Sequence, residues 1–293
     1  IKPDAEFEIV KSFSAPDDRV EVLLTYGWDV KEETLDLYPN LRWIQAMVAG
    51  VDALPLSKLA ARRIVLTNVR GTHKIQMAEH TIWSLLTIMR QGLTLFKQQE
   101  QKVWNARVRI EEMHDKTVCI VGTGEIGQAI AEKCRAFGMK VLGVSRSGTP
   151  RSGFDGVVSA DKTAEFFAVS DVVIAVIPLI AETRNFFNAE RFAQMKDGVY
   201  FVNVARGPVV DEQALLHALQ SGKIKAAALD VFVEEPLPAD SPFWELENVL
   251  ITPHIGGRSP YYSSRMWEVM AHNLKAYPDV DKMINRIDLQ KGY

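Results

Sequence analysis

The sequence predicts an α/β fold of two doubly wound parallel-sheet domains, and three observations carry that prediction. Short apolar runs alternate with helical patterns along most of the chain. One of those runs, Val118 to Val121, leads straight into Gly-x-Gly-x-x-Gly. A length of 293 residues ordinarily divides into two domains.

The chain begins at Ile1 rather than Met and runs toward a strand-like stretch, Glu6 to Val10, so a leading strand and helix are expected to be missing. Strands are predicted at Val20 to Thr25, Trp43 to Val48 and Val65 to Asn68, with helices at Glu32 to Tyr38 and Leu54 to Ala61 between them. Val48-Ala49-Gly50-Val51-Asp52 is then a small-residue turn at a strand's carboxyl end, the place where open α/β sheets bind ligands. Ala78 to Trp104 carries Ile82, Trp83, Leu85, Leu86, Ile88, Met89, Leu93 and Phe96 at three-and-four spacing, which predicts one or two long core helices broken near Gly92.

In Gly122-Thr123-Gly124-Glu125-Ile126-Gly127 each glycine has its own work. Gly122 permits the tight turn, Gly124 lets a pyrophosphate approach the backbone, and Gly127 lets the next helix pack close to the strand. The N–H groups opening that helix then face the phosphates. The pattern alone also arises by chance, but its context is specific. Ile130, Ala131, Cys134 and Phe137 fall at helical spacing, Gly138 closes the helix, and a strand from Lys140 to Val144 follows. This is the βαβ unit that a dinucleotide fingerprint requires.

A short strand at Val157 to Ser159, a helix from Thr163 to Phe167 and a strand from Val172 to Ile177 come next, and Tyr200 to Asn203, Ala226 to Asp230 and Val249 to Thr252 complete the sheet. Tyr261 to Tyr277 is an amphipathic helix with Met266, Val269, Met270 and Leu274 on one face, positioned to cross back to the first block. The expected organisation is a Rossmann-type nucleotide domain, residues 93–266, inserted into a discontinuous, flavodoxin-like substrate domain, residues 1–92 and 267–293.

Composition narrows the partners. A net charge of −3 without a long basic run argues against nucleic acid. No apolar stretch is long enough to span a membrane, and no signal peptide is visible. Cys119 and Cys134 have no metal-ligand or disulfide spacing, so no metal is expected, and both read as buried thiols of a cytoplasmic protein.

An NAD site usually has Asp or Glu at the end of the second strand, where it accepts from the ribose 2′-OH. Here that place reads Ser145-Arg146-Ser147, which offers a cation and two hydroxyls to a 2′-phosphate instead. NADP(H) is the preferred cofactor, with NAD(H) the alternative.

Three later strand ends each deliver one chemically useful side chain: Arg206 in Asn-Val-Ala-Arg-Gly-Pro, Glu235 before Pro236, and His254 in Thr-Pro-His-Ile-Gly-Gly. Reduction of a 2-keto acid needs a cation for the carboxylate, a proton donor for the carbonyl oxygen, and a group that orients the donor. The planar fork of Arg206 suits the first need, His254 the second, and Glu235 the third. Glu234 competes with Glu235. His73, His114, His217 and His272 read as surface or packing residues, as does His80, although its place in Ala-Glu-His at the start of the long helix leaves it open.

Asn203 to Pro208, Ala228 to Pro236 and Thr252 to Gly257, in that order after the glycine turn, resemble the D-isomer-specific 2-hydroxyacid dehydrogenase family, in its glyoxylate and hydroxypyruvate reductase neighbourhood. The resemblance runs from roughly Tyr26 to Tyr277. It implies that Arg206, Glu235 and His254 are the catalytic Arg, Glu and His, and that the backbone N–H groups of Ala49 and Gly50 hold the substrate carboxylate. It implies that Asp230 contacts the nicotinamide carboxamide, that Pro178 and Thr183 flank the adenosine half, and that Val204, Ala205 and Gly256 also line the cofactor. A homodimer through the nucleotide domain is implied as well. Ile180 and Ala181 replace the Thr and Pro common in that family's loop. The formate dehydrogenase branch lacks the Glu and is disfavoured by Glu235. Two other readings stand beside the reductase: a corepressor-like protein that senses dinucleotide, and an NAD-linked phosphoglycerate dehydrogenase, which Arg146 disfavours.

Overall fold

The computed structural model describes residues 5–13 and 15–292, in two compact units. One reaches to His73 and resumes at Ser259; the other is Lys74–Arg258. Ile1, on which the expectation of a missing leading segment rests, lies outside the described residues.

In the first unit β1 (Val22–Thr25), β2 (Trp43–Ala46) and β3 (Val65–Thr67) form a parallel sheet in that order, joined through α1 (Glu32–Asp36) and α2 (Leu56–Ala61). Leu23, Ile44, Leu59 and Leu66 meet in its core, a set of side chains that only a helix-covered sheet brings together. The strand expected at Glu6 to Val10 is absent. That stretch has no regular structure and is solvated, with Ile9 98 % exposed, and no strand among the described residues takes up its backbone groups.

The second unit opens with α3 (Lys74–Met89) and α4 (Gly92–Glu100). The break falls at Gln91, whose φ of 59° lies in the left-handed region, and a Cβ on Gly92 would sit 2.8 Å from Thr87 Cγ2. Helix ends at Glu100 rather than at Trp104, which is exposed. α3 belongs to this unit, because its apolar face is committed to the larger sheet and to the helix after the glycine turn.

That sheet is built from β4 (Thr117–Val121), β5 (Lys140–Ser145), β6 (Gly156–Ser159), β7 (Val172–Ala175), β8 (Val199–Asn203), β9 (Ile224–Leu229) and β10 (Val249–Ile251). All pairs are parallel and the spatial order is β10-β9-β8-β7-β4-β5-β6. Strand order therefore reverses between β4 and β7, a topological switch point that opens a crevice beyond the carboxyl ends. The helices are α5 (Glu125–Ala136), α6 (Ala164–Val169), α7 (Ala189–Gln194) and α8 (Glu212–Gln220), of which α7 and α8 had no counterpart in the sequence reading. Alternate residues of one strand serve opposite cores. Val118 and Ile120 pack with α3 and α5, whereas Cys119 and Val121 pack with Phe167 of α6 and Leu215 of α8. This two-sided burial explains why β4 reads as an unbroken apolar run.

Finally α9 (Tyr262–Ala276) returns to the first unit, where Asn273 Nδ2 donates to Gln45 Oε1 at 2.9 Å and Tyr262 Oη donates to the Met47 carbonyl at 2.6 Å. No helix among the described residues is long and apolar enough to cross a membrane.

Candidate active site

At the switch point the three glycines meet three different demands. Gly122 has φ 114°, and a Cβ there would lie 2.5 Å from the Val176 carbonyl oxygen at the end of β7. Gly127 seats α5 so close that a Cβ would fall 1.9 Å from the Gly122 carbonyl oxygen. Gly124 is the opposite case: a Cβ there would touch nothing within 4 Å. It also N-caps α5 without any capping side chain. Open space beside an uncapped amino terminus of a 12-residue helix suits a pyrophosphate, which needs close backbone approach and N–H donors. The residues present thus fit a dinucleotide. Thr123 is buried against Gly143 of β5, while Glu125 and Ile126 begin the helix.

Beyond β5, Ser145 Oγ accepts from Gly148 N at 3.0 Å and Ser147 Oγ pairs with Thr149 Oγ1 at 2.7 Å, so both hydroxyls shape the turn on which exposed Arg146 stands. Beyond β7, Thr183 Oγ1 accepts from Ile180 N at 2.8 Å and donates to the Pro178 carbonyl at 2.7 Å. One hydroxyl closes the loop despite Ile180 and Ala181.

The strand ends of β8, β9 and β10 are neighbours, and specific contacts lock their loops together. Asn203 Oδ1 accepts from Ala205 N at 3.0 Å and Asn203 Nδ2 donates to the Arg206 carbonyl at 3.3 Å, folding the Val204-Ala205-Arg206 turn back on its strand. Gly207 then meets the β9 loop so tightly that a Cβ would lie 1.9 Å from the Phe232 carbonyl carbon. In that loop Glu235 Oε1 accepts from Phe232 N at 3.0 Å, which aims Oε2 at His254 Nδ1, 2.7 Å away. Glu235, not Glu234, is the partner of the histidine.

His254 holds φ 51°, a left-handed backbone conformation that non-glycine residues adopt at a cost of about 1–2 kcal/mol. Asp230 holds it there. Its carbonyl accepts from His254 N at 2.8 Å, its Oδ1 from Ile255 N at 3.0 Å and from Thr252 Oγ1 at 2.6 Å, and its Oδ2 from Gly256 N at 2.9 Å. Asp230 is buried, and this set of donors compensates the burial of its carboxylate. The family resemblance implies only a cofactor contact for Asp230; its grip on the His254 turn spans 22 to 26 positions and has no local signal in the sequence. His80 on α3 also reaches this cluster, with Nε2 3.2 Å from Thr252 Oγ1 and 3.5 Å from Asp230 Oδ1. Burial pushes the His80 imidazole below its ordinary range, outweighing the pull of the carboxylate.

Ala49 and Gly50 lie in the first unit, after β2. Around them the carbonyls of Met47, Val48 and Ala49 accept from Tyr262, Val69 and Asn68, whereas the N–H groups of Ala49 and Gly50 have no acceptor among the described residues. Two adjacent donors on a fixed turn suit a carboxylate.

Comparison with known proteins identifies the family. The sequence profile described as D-isomer specific 2-hydroxyacid dehydrogenase, NAD binding domain, matches residues 82–256, more than half of the chain. The chain belongs to the D-isomer-specific 2-hydroxyacid dehydrogenase family. It is therefore an oxidoreductase that uses a nicotinamide dinucleotide. Among relatives of this dehydrogenase, glyoxylate/hydroxypyruvate reductase B of Escherichia fergusonii is 34 % identical over 80 % of this chain and 74 % of its own length. A family member of Aeromonas salmonicida superposes with a TM-score of 0.83 at 38 % identity, covering 93 % of this chain and 86 % of that one. The enzyme of Xanthobacter autotrophicus Py2, solved with NADPH and MES, gives 0.83 at 32 % identity, covering 94 % and 86 %.

Proposed function

We propose that this dehydrogenase reduces a small 2-keto acid, such as glyoxylate, hydroxypyruvate or a related acid, to the D-2-hydroxy acid, with NADP(H) preferred. The observation that carries the reaction is the 2.7 Å Glu235–His254 pair, held beside the Arg206 turn. The bound dinucleotide supplies the hydride. Nδ1 of His254 is turned to Glu235, so Nε2 is the ring nitrogen that gives its proton to the nascent alkoxide. Glu235 fixes the ring's orientation, and Arg206 binds the carboxylate and the carbonyl oxygen through its fork. The N–H groups of Ala49 and Gly50 are assigned to the carboxylate, and Asp230, Val204, Ala205, Gly256, Pro178 and Thr183 to the cofactor.

NADP(H) preference rests on Ser145-Arg146-Ser147, which puts a guanidinium and no carboxylate where a 2′-phosphate would sit. The relative from Xanthobacter was solved with NADPH, although the family profile is named for NAD. The deciding assay follows NADPH and NADH oxidation with glyoxylate, hydroxypyruvate and bulkier keto acids, in the wild type and in Arg146→Ala. NADPH-dependent turnover is expected, with the substitution raising KM for NADPH far more than for NADH. Equal effects on both cofactors would end the NADP(H) assignment. Tight NADPH binding without turnover of any acid would favour a dinucleotide-sensing regulator.

A cytoplasmic homodimer completes the proposal. Leu95, Phe96, Val103, Trp104 and Ile110 are exposed on α4 and the segment after it, apolar surface that a second copy would cover. Sedimentation velocity should give a dimer at micromolar concentration, and a monomer there would refute this part.

A further inference from the structure

His80 is the one histidine that the sequence left open and that the reaction does not use. Its side chain is 12 % exposed and approaches Thr252 at the end of β10 and Asp230 at the end of β9. Thr252 has a single hydroxyl proton, and the 2.6 Å contact with Asp230 Oδ1 commits it to the carboxylate. Thr252 Oγ1 is then an acceptor toward His80, so Nε2 must carry the ring proton. The chain of donors runs His80 to Thr252 to Asp230, in one direction only.

The turn after His254 is fitted to this arrangement. A Cβ on Gly256 would lie 2.9 Å from Asp230 Oδ2 and 3.1 Å from His80 Cδ2, so the backbone passes in the gap between ring and carboxylate. Any rotation of the Asp230 carboxyl group would break its bonds to Ile255 N and Gly256 N, the two residues that follow His254. Trp83, one turn along α3, packs at a ring-centroid distance of 5.5 Å and limits where the imidazole can go.

We propose that His80 is a positioning residue: by donating to Thr252 it fixes the rotamer of Asp230, and through Asp230 the left-handed turn that presents His254. The role rests on the reductase reading above. It places the larger effect on the proton-transfer geometry: the phosphate-binding turn at Gly122 to Gly127 takes no part in the chain, so cofactor affinity is touched only through the contacts assigned to Asp230 and Gly256.

The test is a double-mutant cycle read as kcat and as NADPH affinity. His80→Phe keeps an aromatic ring and removes the donor; kcat should fall about tenfold, as loss of one hydrogen bond of ordinary strength implies, and by a larger factor than NADPH Kd rises. Thr252→Val should give the same fall, and the double variant no further one, because both break a single chain. His80→Gln, whose amide can donate to Thr252, should recover most of kcat and keeps the test open where the Phe variant fails to fold. Unchanged kcat in His80→Phe, multiplying losses in the double variant, or a Gln variant no better than Phe would each overturn the proposal. Nitrogen-15 spectra of the His80 ring supply a readout independent of turnover. The Nε2–H tautomer is expected, and the Nδ1–H tautomer would overturn the proposal. An enzyme inactive with every keto acid would sink the reductase reading while leaving that spectrum to judge His80.

Discussion

Replacement of His254 by Ala should lower kcat by about a hundred- to ten-thousandfold, the range that loss of a positioned general acid produces. NADPH binding should stay close to wild type. The two expectations separate because the residues argued to hold the dinucleotide's phosphates, at Gly122 to Gly127, lie after β4, whereas the imidazole lies after β10 and is bonded to Glu235. Backbone donors at Ile255 and Gly256 still bind Asp230 whatever side chain stands at 254, so the turn keeps its anchor. Stopped-flow hydride transfer and fluorescence titration of NADPH measure the two quantities separately. A variant retaining a tenth or more of wild-type kcat would remove His254 from the role of proton donor.

Gly207→Ala should be nearly as damaging, for a reason that has nothing to do with chemistry at position 207. The added methyl would lie 1.9 Å from the Phe232 carbonyl carbon, 2.0 Å from its oxygen and 2.3 Å from Val233 N. These are backbone atoms and cannot swing aside as a side chain would, so the loops after β8 and β9 must separate. Overpacking of this kind costs about 1–3 kcal/mol or more. The larger consequence is geometric. Arg206 precedes the wedge and Glu235 follows Phe232 by three residues, so their relative position shifts, and a shift of about 1 Å at a reacting site costs on the order of a hundredfold in rate. Thermal denaturation should show a lowered Tm, with kcat/KM falling further than unfolding at the assay temperature explains. An Ala variant with wild-type kcat/KM would show that the two loops can part without consequence.

Much of this architecture was legible in the chain because its strongest signals are local. The run into Gly122 is apolar throughout because β4 is covered on both faces, and the glycines follow from contacts within a few residues or with an adjacent strand. Arg206, Glu235 and His254 stand out as candidates because each lies in the loop after a strand, beside distinctive neighbours. Other features lacked such signals. The apolar stripe of α3 looks the same whichever sheet it covers, so the pattern alone does not say to which unit the helix belongs. Glu6 to Val10 had a strand's composition but no partner, which composition cannot reveal. α7 is only six residues long, whereas α8 did have a readable start: Asp211 caps Gln213 N and Ala214 N at 3.1 Å, just ahead of an Ala-Leu-Leu run. The partner of His80 lies 172 positions further on, and no local pattern announces a contact of that separation.

The backbone conformation at His254 also decides how an inert form of the enzyme should be made. A residue with φ 51° suits glycine, asparagine or aspartate far better than alanine, which has no polar group to compensate the left-handed geometry. Asparagine combines that tolerance with an amide that can still hydrogen-bond Glu235 yet cannot act as an acid near neutral pH. His254→Asn is therefore the substitution best suited to trapping substrate and cofactor together in a crystal, since it disables the reaction while leaving the surrounding chain in its native course.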